Sequence, residues 1–141
     1  MSDTINFFSE EIDFEISSTE KIKLWLKTII TNYNQTISNI NYIFCSDEYL
    51  LEINKEHLNH NYYTDIITFD LSESEEIESD IFISIDRVIE NAKNLGITFE
   101  TELHRVLVHG LLHLLGFNDK TGVEKTIMRE KEDSSLSLLK L

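Results

Sequence analysis

The sequence predicts an α+β domain, with one small mixed β-sheet of about four strands packed against about five helices. Three observations predict it. The apolar positions change period along the chain in the order β α β α β β α α α, which is not the strict alternation of a doubly wound fold. The 141 residues contain no Pro and only four Gly, so no linker divides them, and residues 1–141 read as a single domain. Hydrophobic residues make up 41% and aromatics 10%, enough to bury a core despite a formal net charge of −14.

Each element has its own signal. Ile12, Phe14 and Ile16 alternate with polar positions and predict a first strand. Ser18 or Thr19 can cap a helix that carries Ile22, Trp25, Ile29 and Tyr33 inward and leaves Lys21, Lys23 and Lys27 off that stripe. Ile40 to Ser46 reads as a second strand. Asp47 to about His57 reads as a helix with two acids in its first turn, where the helix dipole favours them. Asp65–Leu71 and Asp80–Asp86 are β-rich runs on either side of the acidic segment Ser72–Asp80, which predicts an antiparallel pair joined by a solvated loop. Arg87–Leu95 is a short helix stopped by Gly96. Thr98 opens the next helix, which carries Leu103, Val106, Leu107, Leu111, Leu114 and Leu115 and ends at Gly116. Thr121-Gly122-Val123-Glu124 fits a capping box at the start of the last helix.

Charge and composition exclude several functions. The chain has 26 acids against 12 bases, which argues against loose binding to RNA or DNA phosphates. One Cys cannot form an internal disulfide framework, and Cys45 lies in an apolar strand, so a core position in a cytoplasmic protein is expected. No apolar run approaches the ~20 residues of a membrane span, and the acidic first residues do not form a signal peptide.

The chemistry concentrates in HGLLHLLGFNDK, residues 109–120. His109 and His113, four apart on a helix, share one face and can reach one metal ion. Gly116 then lets the chain turn back, and Asp119 brings an oxygen donor. Three protein ligands leave a fourth position for water, as in catalytic zinc sites, where the water's pKa falls to ~7. The spacing also invites comparison with the H-E-x-x-H metalloproteases. Here the residue after the first His is Gly110, so the Glu that serves as their general base is missing.

The same block resembles the signature of the YbeY family of bacterial endoribonucleases, H-G-x-L-H-L-x-G-Y-D-H. Two further blocks agree in order and separation. Ile53-Asn54 with Thr64-Asp65-Ile66-Ile67-Thr68-Phe69 resembles the family's L-N-x(9)-T-[DN]-V-L-S-F, and Asp80-Ile81-Phe82-Ile83-Ser84 resembles its G-D-I-x-I-[SC] strand. The resemblance implies a single-strand-specific, metal-dependent endoribonuclease that matures small-subunit rRNA. Its implied partners are the precursor rRNA, the small ribosomal subunit and assembly proteins, with no membrane or DNA. It places the metal-binding and catalytic positions on His109, His113 and Asp119, with one divalent ion per chain. Zinc is the first choice and iron is compatible in principle.

Two departures from the pattern stand out. Asp119 occupies the position of the family's third His, an anionic ligand in place of a neutral one. Leu58 occupies the position where the family often carries an Arg that contacts phosphate. Lys55, Arg105 and Lys120 are the nearest candidates to replace it. A His is also frequent in the family at the position of His104, five residues before His109 and about 140° round the helix. Asp65 is a candidate acceptor for a ligand His. Met128 is expected to pack in the core under the site. His57 and His60 are expected in solvent. Two rival functions stay open at this level, a peptidase-like metal hydrolase and a ribosome-assembly factor without catalysis.

Overall fold

The computed structural model describes residues 4–139. Those residues form four strands and five helices in the predicted order: β1 (Thr4–Glu10), α1 (Thr19–Asn32), β2 (Ile37–Cys45), α2 (Asp47–Leu58), β3 (Ile66–Asp70), β4 (Ile77–Ser84), α3 (Ile85–Leu95), α4 (Phe99–Leu114) and α5 (Gly122–Leu136). The sheet runs β1-β2-β4-β3. β1 and β4 flank β2 in parallel, and β3 pairs antiparallel with β4, so the sheet is mixed as expected.

Two faces of the sheet bury unequal cores. Ile5, Ile40, Tyr42, Phe44, Ile81 and Ile83 meet the apolar stripes of α1, α3, α4 and α5 in the main core, which includes Met128. α2 covers part of the other face, where Cys45, Leu50 and Ile67 form a smaller cluster with Phe69 and Phe82 against it. Burial pushes the Cys45 thiol up to about 12, so it is an inert core residue. Two buried hydrogen bonds lock helices into register: Tyr42 donates its hydroxyl to the Leu107 carbonyl of α4 at 3.0 Å, and Trp25 of α1 donates to the Ser135 carbonyl of α5 at 2.7 Å.

Several expectations need correction. The first strand is Thr4–Glu10, not Ile12–Ile16. The chain turns at Glu11 (φ 60°), and the following segment packs without a ladder, Phe14 edge-on to Phe44 and Phe99. Tertiary packing of the 12/14/16 alternation therefore mimics a strand. Ser18 does occupy the cap of α1, but in the left-handed region and with no side-chain cap bond. Thr19 instead donates its hydroxyl to the Ile16 carbonyl. The acidic segment is only partly loop. β4 begins at Ile77 because Ile77 pairs with Ile37 and Glu78 with Asn39, and pairing with a central strand overrides the polar composition. Elsewhere the end signals hold. Gly96 takes φ 70° after α3, Thr98 caps α4, Gly116 takes φ 107° after it, and the Thr121–Glu124 capping box is complete.

At Gly110 the backbone of α4 lies close against the sheet. A Cβ there would come within 2.8 Å of Ile66 Cδ1, 3.1 Å of Thr68 Oγ1 and 3.3 Å of Ile81 Cγ2. Helix propensity alone favours Ala over Gly by about 1 kcal/mol. Overpacking against two strands costs about 1–3 kcal/mol, so the crowding wins. Gly110→Ala is expected to lower the melting temperature by a few degrees; a thermal melt equal to or above wild type would show that the sheet yields instead.

Candidate metal centre

α4 is the rigid support of the site. Its Leu103, Val106, Leu107, Leu111 and Leu112 are buried, which orients the helix about its axis. His109 and His113 then project together, half-buried, with ring centroids 4.6 Å apart. Their Nε2 atoms face each other at 3.0 Å. The turn at Gly116 and the cap at Thr121 return the chain so that Asp119 Oδ2 lies 3.2 Å from His109 Nε2 and 3.4 Å from His113 Nε2. The three sequence-predicted residues are thus brought together. Among the described residues they form one group of His and carboxylate donors compact enough for a single ion. The sides of that triangle match the roughly 3.3 Å edge of a tetrahedron whose ligands lie about 2.0 Å from its centre. The donor set therefore fits a divalent metal.

Sequence reasoning missed the residue behind the cluster. Glu132 of α5 is 4% exposed, and its Oε2 accepts from His109 Nδ1–H at 2.7 Å. That bond assigns the tautomer and leaves the Nε2 lone pair directed at the centre. Asp65, which the sequence offers equally as such an acceptor or as a plain strand-edge carboxylate, takes a hydrogen bond from Asn91, at 3.2 Å. Glu132 is itself held by Arg105 Nη1 at 3.0 Å, and Arg129 lies 3.5 Å away. The signal for Glu132 in the sequence is faint. It is an acid four residues after the core Met128, on the inner stripe of a helix otherwise rich in surface charge.

The charges are mutually adjusted. Burial pulls the His109 pKa down, but the hydrogen bond and charge of Glu132, with Asp119 and Asp65, outweigh it, so the pKa is raised. Burial pushes Glu132 up, and its bonds from His109 and Arg105 outweigh that, so its pKa is lowered. Burial raises Asp65 and Glu102. His104 is elsewhere, buried edge-on to Trp25 and lowered by burial, so it does not join the cluster.

The cluster stands between two clefts. The larger, about 600 Å³, is lined by Leu58, His60, Tyr62 and Asp65 together with the three clustered residues. The smaller, about 270 Å³, contains Arg129 and Glu132 and shares Asp65, His109 and Asp119. None of the nominated cations is free in the larger cleft. Lys55 pairs with Glu52, Lys120 lines neither cleft, and Arg105 is engaged by Glu132 and Asp133. Arg129, 56% exposed at its side chain, lines the smaller cleft while pairing with Glu132 at 3.5 Å.

An α+β domain with two helix-borne imidazoles and a loop carboxylate converging at a cleft defines a candidate metal-binding domain of the open-site kind. Comparison with known proteins narrows that class. The family model described as Endoribonuclease YbeY matches residues 5–140. An Endoribonuclease YbeY of Cytophaga hutchinsonii is 56% identical over 98% of this chain and 97% of its own length. One from Flavobacterium psychrophilum is 49% identical over 93% of this chain and 94% of its own. A Thermotoga maritima protein with a solution structure is 26% identical, covers 96% of this chain and 89% of its own, and superposes with a TM-score of 0.68. The chain belongs to the YbeY endoribonuclease family.

If the cluster holds a metal, Glu132→Gln is expected to weaken its binding by about 10–100-fold in chelator competition, since His109 loses its orienting acceptor. The pH dependence has a definite sign. A raised His109 pKa means that its bond to Glu132 stabilises the metal-free fold fully below the ordinary value of 6.5 and less as pH rises through the folded value. In thermal melts with chelator present, the deficit of Glu132→Gln against wild type should therefore shrink as pH rises from below 6.5.

Proposed function

We propose that this chain is a metal-dependent endoribonuclease that cuts single-stranded RNA. In this reading its substrate is the small-subunit rRNA precursor, its partners are the small ribosomal subunit and assembly proteins, and its location is the cytoplasm. The observation that supports it best is the convergence of His109, His113 and Asp119 at a cleft, in a chain of the YbeY family. We assign one divalent ion, zinc, to those three side chains. A divalent ion there supplies Lewis acidity to a phosphoryl oxygen and acidifies a water.

The chain's own groups have separable tasks. Glu132 holds His109 in the correct tautomer and orientation. Arg129 offers a guanidinium beside His109 and Asp119, where it can receive a phosphate oxygen that Leu58 cannot. Asp65 lines both clefts, and its raised pKa suits it to exchange a proton with an attacking hydroxyl. The peptidase reading is disfavoured by Gly110, whose crowding against Ile66, Thr68 and Ile81 leaves no room for the Glu that route needs.

Two measurements test the proposal. His113→Ala should abolish cleavage of single-stranded RNA by more than 100-fold, as expected when a ligand to a catalytic metal is removed, while circular dichroism stays native. Equal cleavage by both proteins would show that the cut does not come from this cluster, and no cleavage by either would leave a non-catalytic assembly factor. Asp119→Ala should reduce bound metal well below one equivalent by elemental analysis, and Asp119→His should retain it.

A further inference from the structure

Where the family often places an Arg, this chain places Leu58, and two residues on it builds a pair of rings. His60 and Tyr62 are stacked, with centroids 5.1 Å apart and planes 20° from parallel, and Tyr62 Oη lies 3.0 Å from His60 Nδ1. Both residues are exposed, Tyr62 at 56%, and both line the cleft that contains His109, His113 and Asp119. Among the described residues, neither ring packs on any other ring.

The pair is held from below. Asn59 takes a left-handed turn after α2. His60 N–H then donates to the Asn54 carbonyl at 3.1 Å, and the buried Asn54 amide donates from Nδ2 to the Tyr62 carbonyl at 2.9 Å. One buried residue thus fixes the backbone of both ring-bearing positions. The next residue is used differently. Tyr63 donates its hydroxyl to Glu48 at 2.6 Å, and Arg87 lies over its ring at 5.4 Å. Tyr63 is a structural tether, whereas the His60–Tyr62 surface is ordered and left open.

We propose that His60 and Tyr62 form a nucleobase platform. One base of a single-stranded RNA stacks on the pair while an adjoining phosphodiester lies against the His109–His113–Asp119 cluster. This rests on the endoribonuclease reading above. Three considerations favour a base as the occupant. Every base has a flat π-face, and stacking on aromatic side chains stabilises binding without sequence demands. A base inside a duplex already has both faces occupied, so an open platform selects unpaired strands. On a chain of net charge −14, stacking adds affinity that does not depend on attracting phosphate.

The experiment uses metal-loaded protein and short single-stranded RNAs with 2-aminopurine at successive positions near the cut. Binding to wild type and to Tyr62→Phe should quench the probe at one position, and binding to Tyr62→Ala should not. KM for Tyr62→Ala should rise roughly tenfold, by a similar factor at low and high salt, as loss of one stacked base implies. His60→Ala should change KM in the same direction, with bound metal unchanged in both variants. If wild type cuts RNA while Tyr62→Ala keeps the wild-type KM and quench, the platform is wrong and the enzyme reading stands. If wild type neither binds nor cuts the RNA, both fail.

Discussion

The distance between α4 and the sheet governs this molecule. α4 carries the long apolar stripe of the core and both imidazoles of the candidate site, so its depth and rotation set both at once. Gly110 permits that depth because a side chain there would strike β3 and β4. The Tyr42 hydroxyl then fixes the axial position through the Leu107 carbonyl. With the helix seated, His109 and His113 have little freedom except rotation about their own bonds, and packing alone does not decide that.

A buried polar network supplies the missing constraint. Glu132 joins α5 to α4 through His109 and Arg105, and Trp25 joins α1 to α5. Taking a carboxylate out of water is unfavourable unless its oxygens are bonded, and here both oxygens are. The docking of α5 is therefore coupled to the orientation of a ring in the candidate metal cluster. Damage to the α4–α5 contact should disturb that cluster without altering any of its three side chains.

Much of this was legible in the sequence because it depends on local rules. The order of elements, the Gly96 and Gly116 stops, the Thr121 capping box and the His109–His113–Asp119 spacing all follow from signals a few residues long. The failures are non-local. Thr4–Glu10 is a strand because it lies beside β2, and Ile77–Asp80 is a strand because it lies on β2's other edge. Glu132 is 23 residues from His109, and only its place on the inner stripe, four residues after Met128, sets it apart from the other acids of α5. The departure at Leu58 was visible, but the use made of the following loop required the side chains in place.

The Gly116 turn and the Thr121 capping box have a thermodynamic consequence. They bracket the short connection that presents Asp119, and each anchors one end of it with bonds that need no metal. The conformational entropy of that connection is thus spent when the chain folds, not when an ion arrives. An ion held by the candidate cluster would therefore close no loop and nucleate no structure. Its binding free energy would depend on dehydration of the ion and on the basicity of donors that the fold has already gathered.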